Sequence, residues 1–326
     1  ATPLGWTYPV AWPTGRPLRV AVVSDFATGR YFARWIADQV RRVEPDVVLD
    51  LGDVYYAGTE EQVRKYLHEP LEPVWRKAPI FRLAGNHDMY TSEGAPFYRW
   101  LDRGRAEAAQ LQEGAWWALD AGPFRLVGID TQSTGDARVH PEVRQWVADQ
   151  LAEARVRGQR VLLFSSNEPY GPKGPAAGSY GWTPVWTSQL RALVTQMGGA
   201  ALWMWGNWHY AAVYDRTPKA PFVGVCTGHA GYPAGIFEGF ANKRGDEGWV
   251  KPLWEEGAGR FAGPLREVRQ EMVRNGWSML ELYPNQRIAL TFVDWLGHER
   301  CRVELAPDAA RPVVTWPAQE VPFRLL

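Results

Sequence analysis

The chain has 326 residues, 46% hydrophobic and 22% charged, which is enough for one large domain with a full core. Lysine plus arginine and aspartate plus glutamate balance at 36 each, so no whole-molecule field draws in nucleic acid and no nucleic-acid partner is expected. Apolar runs such as Val161–Phe164 and Ala200–Trp205 are too short to span a membrane, and the opening Ala1-Thr2-Pro3-Leu4 shows no signal peptide, so the expectation is a soluble protein of open compartment.

Residues 1–17, rich in Pro, Gly and Trp, read as an N-terminal arm on the surface. Leu18–Ser24 is a continuous apolar run ending in polar residues, which predicts a buried strand. Helical spacing follows over Arg30–Val43, then a second buried strand over Asp46–Leu51 that ends at Gly52-Asp53. Thr59–Leu67 reads as a helix with acidic residues in its first turn, and Pro79–Ala84 as a third strand ending at Gly85-Asn86-His87-Asp88. The alternation predicts βαβ units and a parallel or mixed sheet. Strands are then expected over Phe124–Asp130, Arg160–Ser165, Ala200–Trp205 and Phe222–Val225, with helices over Pro141–Arg157 and Trp186–Met197. Two Gly-rich insertions, Tyr170–Trp186 and Gly235–Glu271, have the size of lids or binding loops. Trp277–Leu282, Ile288–Val293 and Arg302–Leu305 read as antiparallel strands. With no repeat or clean linker, residues 18–305 form one domain and residues 306–326 a tail.

Residues able to hold a cation fall where these strands stop: Asp25; Asp53 with Tyr56; Asn86 with His87 and Asp88; Asn207 with His209. In open α/β sheets ligands bind outside the carboxyl ends of the strands, so one crevice can collect all of them. Carboxylate, imidazole and amide oxygen suit hard or borderline cations. One Asp after a strand is usually a cap or turn residue, whereas four such blocks in order point to a shared site. Two cysteines, Cys226 and Cys301, provide no cysteine-rich metal site and no disulfide framework.

The series Asp25, Gly52-Asp53-Val54-Tyr55-Tyr56, Gly85-Asn86-His87-Asp88 and Gly206-Asn207-Trp208-His209 resembles the five-block pattern of the calcineurin-like metallophosphoesterases, with the fourth block near Ser166-Asn167-Glu168-Pro169-Tyr170. The likeness covers roughly residues 18–305 and is closer to the purple acid phosphatase branch, because Ala27 stands where other branches have histidine. It implies an α/β fold, a four-layer αββα sandwich of two mixed β-sheets flanked by helices. It also implies that Asp25, Tyr56 and His209 hold a first metal, iron(III) by the preference of tyrosinate for hard trivalent ions. Asp53 would bridge to a second ion held by Asn86. His87 would face the substrate as phosphate ligand or general acid, with Asp88 orienting its ring, and a metal-bound hydroxide would cleave a phosphoester.

The chain departs from the pattern on the second-metal side. Asn207 stands at one histidine position, and Ser166 or Asn167 at another. Neutral serine and asparagine oxygens are weak partners for a borderline divalent ion, so a second ion (Mn, Mg or Zn) is expected to be weak or absent. His229, in Thr227-Gly228-His229-Ala230-Gly231, is either a histidine orienting the site from behind or a packed loop residue. Glu168, Tyr170 and Lys173 are further candidates for touching substrate, whereas Lys243–Glu247 reads as a solvated loop. Three functions stay open: a metal-dependent phosphoester hydrolase, a mononuclear iron enzyme acting on a non-phosphate substrate, or a binding protein with a degenerate site. In each the partner is a small molecule, and the 18 tryptophans leave room for an apolar or aromatic one.

Overall fold

A computed structural model of the protein describes residues 6–106, 112–132, 139–169, 185–196, 199–233, 252–255, 274–317 and 321–322. In chain order the strands are β1 (Thr7–Pro9), β2 (Leu18–Val23), β3 (Val47–Asp50), β4 (Ile80–Arg82), β5 (Trp117–Ala121), β6 (Phe124–Ile129), β7 (Arg160–Ser165) and β8 (Leu202–Trp205). They continue with β9 (Ala211–Tyr214), β10 (Val223–Thr227), β11 (Pro252–Glu255), β12 (Gly276–Leu282), β13 (Ile288–Asp294), β14 (His298–Leu305), β15 (Val313–Thr315) and β16 (Val321–Pro322). One sheet runs β1-β5-β6-β7-β8-β10-β9-β11 and the other β15-β14-β13-β12-β2-β3-β4, with β16 also on β14.

Both sheets are mixed. Pairing is parallel along β2-β3-β4 and along β6-β7-β8-β10, and mostly antiparallel elsewhere. Those two parallel runs carry the strand ends that matter here. Val20, Val22, Leu49, Phe81, Leu126, Leu162, Phe164 and Met204 meet in one buried cluster between the sheets. The opposite faces are covered as well: Val127, Leu163 and Trp203 pack with Trp146 and Val147 of the Pro141–Val156 helix. Val23, Val48 and Ile80 pack with Ile36 and Val40 of the Tyr31–Val43 helix. The result is the four-layer αββα sandwich. A strand buried on both faces has no polar side to alternate with, which is why β2, β3, β7 and β8 read as unbroken apolar runs.

The arm on the surface and the tail are both joined to the sheets. β1 pairs parallel with β5, and β15 and β16 both add to β14, so both ends of the chain extend sheet edges. Strands this short give almost no periodic signal. The helix expected over Thr59–Leu67 starts on a Thr59 capping box with Gln62, then runs past Leu67 through a π-helical turn, Val63–His68, into Glu69–Trp75. The wider turn lies just ahead of Pro70 and Pro73, which have no amide to donate. Most of the insertions Tyr170–Trp186 and Gly235–Glu271 lies outside the described residues, as do Tyr170, Lys173 and Lys243–Glu247; β11 and the start of the Val185–Gln196 helix are the described parts. Among the described residues no helix is long and apolar enough to cross a membrane.

Candidate metal centre

The chain turns sharply as it leaves β2, β3 and β8. Asp25, Asp53 and Asn207 have φ of 58°, 75° and 61°, a left-handed conformation that Asp and Asn tolerate better than most residues. The Asp25 amide donates to the Gly52 carbonyl at 2.9 Å, tying the first two turns together. Two glycines of the motif blocks are there for space. A Cβ on Gly85 would sit 1.9 Å from Asp53 Oδ1, and one on Gly206 would sit 1.8 Å from Ser24 Oγ.

These turns bring together Asp25, Asp53, Tyr55 and His209. The Tyr55 hydroxyl lies 2.6 Å from Asp25 Oδ1, 2.8 Å from His209 Nε2 and 3.4 Å from Asp53 Oδ2. His209 Nε2 is 3.2 Å from Asp25 Oδ1, and its ring stacks on Tyr232 with centroids 4.0 Å apart. Asp25 Oδ2 accepts from the Ser24 hydroxyl and the Asn207 amide. Burial opposes charge on Asp25, but hydrogen bonds with His209, Tyr55 and Ser24 carry its pKa below the usual carboxylate value. Burial pushes Asp53 well up, and the nearby Asp25 and Asp88 add to it. Burial and the same two site carboxylates, Asp25 and Asp53, raise Tyr55, so without a cation it stays a phenol.

The tyrosine in the cluster is therefore Tyr55, where the resemblance implied Tyr56. The Tyr55 amide donates to Ala27 O, and Ala27 bridges Val54 in parallel, so strand-like pairing persists for a step beyond Asp53 and carries the Tyr55 ring over Asp25. Tyr56 is left 63% exposed, with its ring edge against His87 at 4.8 Å.

Asp88 also has a different place from the expected one. Its carboxylate accepts from the backbone amides of Asp53 and Gly85 and pairs with buried Arg82, which in turn pairs with Asp50. It holds the two turns in position and does not orient His87. The His87 ring is held instead by the Tyr56 carbonyl, 2.6 Å from Nδ1, while the His87 amide donates to Asp53 Oδ1. A carbonyl only accepts, so Nδ1 carries the proton and neutral His87 presents its lone pair at Nε2. Burial lowers the His87 pKa, favouring that neutral form. Asn86 donates from Nδ2 to the Tyr90 hydroxyl at 2.8 Å, and its Oδ1 is buried with no hydrogen-bond partner. Tyr90 and Tyr232 were absent from the sequence reading; the i, i+4 spacing of Asn86 and Tyr90 across the His87–Met89 turn was the available signal.

The opposite side of the cleft looks different. Asn207 Nδ2 donates to Glu168 Oε2 at 3.1 Å, and burial raises the Glu168 pKa. Asn167 Oδ1 accepts from Thr131 and Gln132, which turns it toward the end of β6. Ser166 is buried, and its carbonyl accepts from the Gly206 amide. His229 is buried among β10, Gly276 and Phe292, and burial lowers its pKa to about 4. No hydrogen bond among the described residues joins its ring to Asp25, Asp53 or His209.

The family model described as calcineurin-like phosphoesterase matches residues 18–210, more than half of the chain. The chain belongs to that family. No curated protein matches the sequence significantly. Among solved structures, the protein is similar to a purple acid phosphatase from yellow lupin (Lupinus luteus) seeds, with TM-score 0.60 and 15% identity over 89% of this chain. It spans about half of that phosphatase, 53% of its length. GAP50, described as the anchor in the inner membrane complex of Plasmodium, aligns with TM-score 0.62 and 13% identity over 86% of this chain and 85% of its own. A dimetal phosphatase from Danio rerio aligns with TM-score 0.50 and 14% identity over 92% of this chain and 99% of its own. At such identities the likenesses show the fold.

The family resemblance implies a metal, and the donors of this cleft fit one. Neighbouring donors around a cation bound at about 2.1 Å lie roughly 3 Å apart in octahedral geometry. The contacts among Tyr55 Oη, Asp25 Oδ1, His209 Nε2 and Asp53 Oδ2 fall at 2.6–3.4 Å. Two buried carboxylates side by side call for a cation, and Asn86 Oδ1 is a buried oxygen in need of a partner. Among the described residues no three His, Cys, Asp or Glu side chains form a metal-holding group by themselves. The Tyr55 phenol is the donor that links Asp25, Asp53 and His209 in this cluster.

Proposed function

We propose that the protein is a phosphoester hydrolase working around one tightly held ion at Asp25, Asp53, Tyr55 and His209. The observation that carries this reading is the convergence of the Tyr55 hydroxyl, Asp25 Oδ1 and His209 Nε2 beside a second buried carboxylate, Asp53. A phenol among the donors favours iron(III), which when bound supplies Lewis acidity and lowers the pKa of water. Asp53 and Asn86 Oδ1 are the donors left for a second, weakly held divalent ion.

The remaining work falls to the chain's own residues. Asp88 and Arg82 hold the Asp53 and Gly85 turns, so Asp53 is placed to hold the ion without rearranging. Neutral His87, its Nδ1 proton on the Tyr56 carbonyl, takes a proton from solvent water at Nε2 and gives it to the leaving oxygen, which restores the neutral ring. Asn86 offers an oxygen beside that ring.

Elemental analysis of freshly purified protein, read together with turnover of a chromogenic phosphoester, tests the reading. One strongly bound transition ion per chain and measurable hydrolysis are expected. Two strongly bound ions per chain would refute the single-site part, and no hydrolysis with any added metal would refute the reaction. A visible charge-transfer band should vanish in Tyr55→Phe with iron retained and persist in Tyr56→Phe. The reverse pattern would return the ligand role to Tyr56.

A further inference from the structure

We infer that Tyr56 and Tyr90 form an aryl-binding rim that selects phosphoesters whose alcohol part carries a flat aromatic ring. This rests on the phosphoesterase reading above and names the substrate class of the same site.

Tyr56 and Tyr90 are 63% and 57% exposed, and both pack on one imidazole, His87, at centroid distances of 4.8 and 4.7 Å. Neither ring is loosely placed. Tyr90 is tethered through its hydroxyl, which accepts from Asn86 Nδ2 at 2.8 Å. Tyr56 meets the His87 ring edge to face, and its backbone carbonyl accepts from His87 Nδ1 at 2.6 Å. On the inner side Tyr55 closes on the same imidazole at 4.4 Å. The two outer tyrosines are thus held in place yet left uncovered, next to the group that handles the leaving oxygen.

Whatever that oxygen is attached to must leave past this rim. A flat aromatic group can stack on it or meet it edge to face, whereas an aliphatic group of similar size gains only contact area. Because the rings are fixed before binding, little ordering entropy opposes the gain. The expected advantage is about tenfold for an aryl over an alkyl group.

Purified, metal-loaded protein would be assayed on a phenyl phosphoester and on a fluoroalkyl phosphoester of matched leaving-group acidity. Wild type should favour the phenyl ester about tenfold in kcat/KM, through KM. The double variant Tyr56→Ala/Tyr90→Ala should lose that preference with metal content unchanged, and Tyr56→Phe/Tyr90→Phe should keep it. Equal kcat/KM for the two esters in wild type, or a preference surviving in the alanine variant, overturns the rim. Hydrolysis of neither ester defeats the phosphoesterase reading instead. The rim is then judged by calorimetry: phenylphosphonate binding about tenfold tighter than cyclohexylphosphonate in wild type supports it, and equal binding overturns it.

Discussion

The two sides of the cleft are built from the same kind of strand-end turn, yet under the proposed function they differ in what they offer an ion. Two buried carboxylates and a phenol from the β2-β3 side converge with His209, which reaches them from the turn after β8, and their contacts with one another leave charge unneutralised. On the β7-β8 side the polar groups neutralise or satisfy each other: Asn207 is bonded to Glu168, and Asn167 to Thr131 and Gln132. Side chains become ligands where lone pairs and charge are left over after local bonding, and that surplus lies on one side. The Asn167 oxygen, which already accepts from two donors, has little to offer a cation.

The comparison breaks most visibly if the first side is not a metal site. Asp25→Asn should remove the tightly bound ion and lower phosphoester turnover by roughly a thousandfold or more, as expected for loss of Lewis-acid stabilisation. Full metal occupancy in that variant would show that the cation sits elsewhere.

A next test concerns His229, buried behind the cleft, and its effect is on stability. Its pKa falls from 6.5 to about 4 on folding because burial opposes the charged form. A histidine depressed in this way binds a proton in the unfolded chain first, so stability is full above pH 6.5 and lost as pH falls toward about 4. Across that window its contribution to unfolding falls by about 3 kcal/mol at most. Urea unfolding of wild type and His229→Gln at both ends of the window measures the difference. Equal pH slopes would mean that His229 is not held neutral by burial.

His87 separates chemistry from metal binding. His87→Ala should keep its ion and lose roughly a hundredfold in turnover, the usual size of a lost proton-transfer group, with a smaller loss for esters of acidic alcohols. Turnover equal to wild type on a poor leaving group would reduce His87 to a wall of the pocket.

The smallest effect sharpens the contrast between the two sides. Asn207→His removes the bond to Glu168 and adds an imidazole, so affinity for a second divalent ion should rise about tenfold. Titration of manganese or zinc into the iron-loaded protein reads this directly. Unchanged affinity would show that loss of the histidine is not what weakened the second site.

Much of the fold was legible because β2, β3, β7 and β8 are buried on both faces and so stand out as apolar runs between helical stretches. The strands β1, β5 and β9, and the helix Ala95–Ala106, were not seen. The strands are short, and β1 takes its pairing from β5, far away in the chain, while the helix carries a glycine and several charges that blur its periodicity.

Chain order and residue type alone determined that Asp25, Asp53, Asn86, His87, Asn207 and His209 stand at the ends of strands, because a strand followed by Gly-Asx is a local signal. Which of two adjacent tyrosines turns inward, and what Asp88 holds, were decided only in three dimensions. Tyr55 and Tyr56 are alike in chemistry and one residue apart, so their directions depend on the Ala27–Val54 bridge, a contact between chain segments 27 residues apart. Asp88 sits beside His87 in sequence, yet its oxygens go to Asp53, Gly85 and Arg82, because backbone amides exposed by the two tight turns need an acceptor and a buried carboxylate needs a cation.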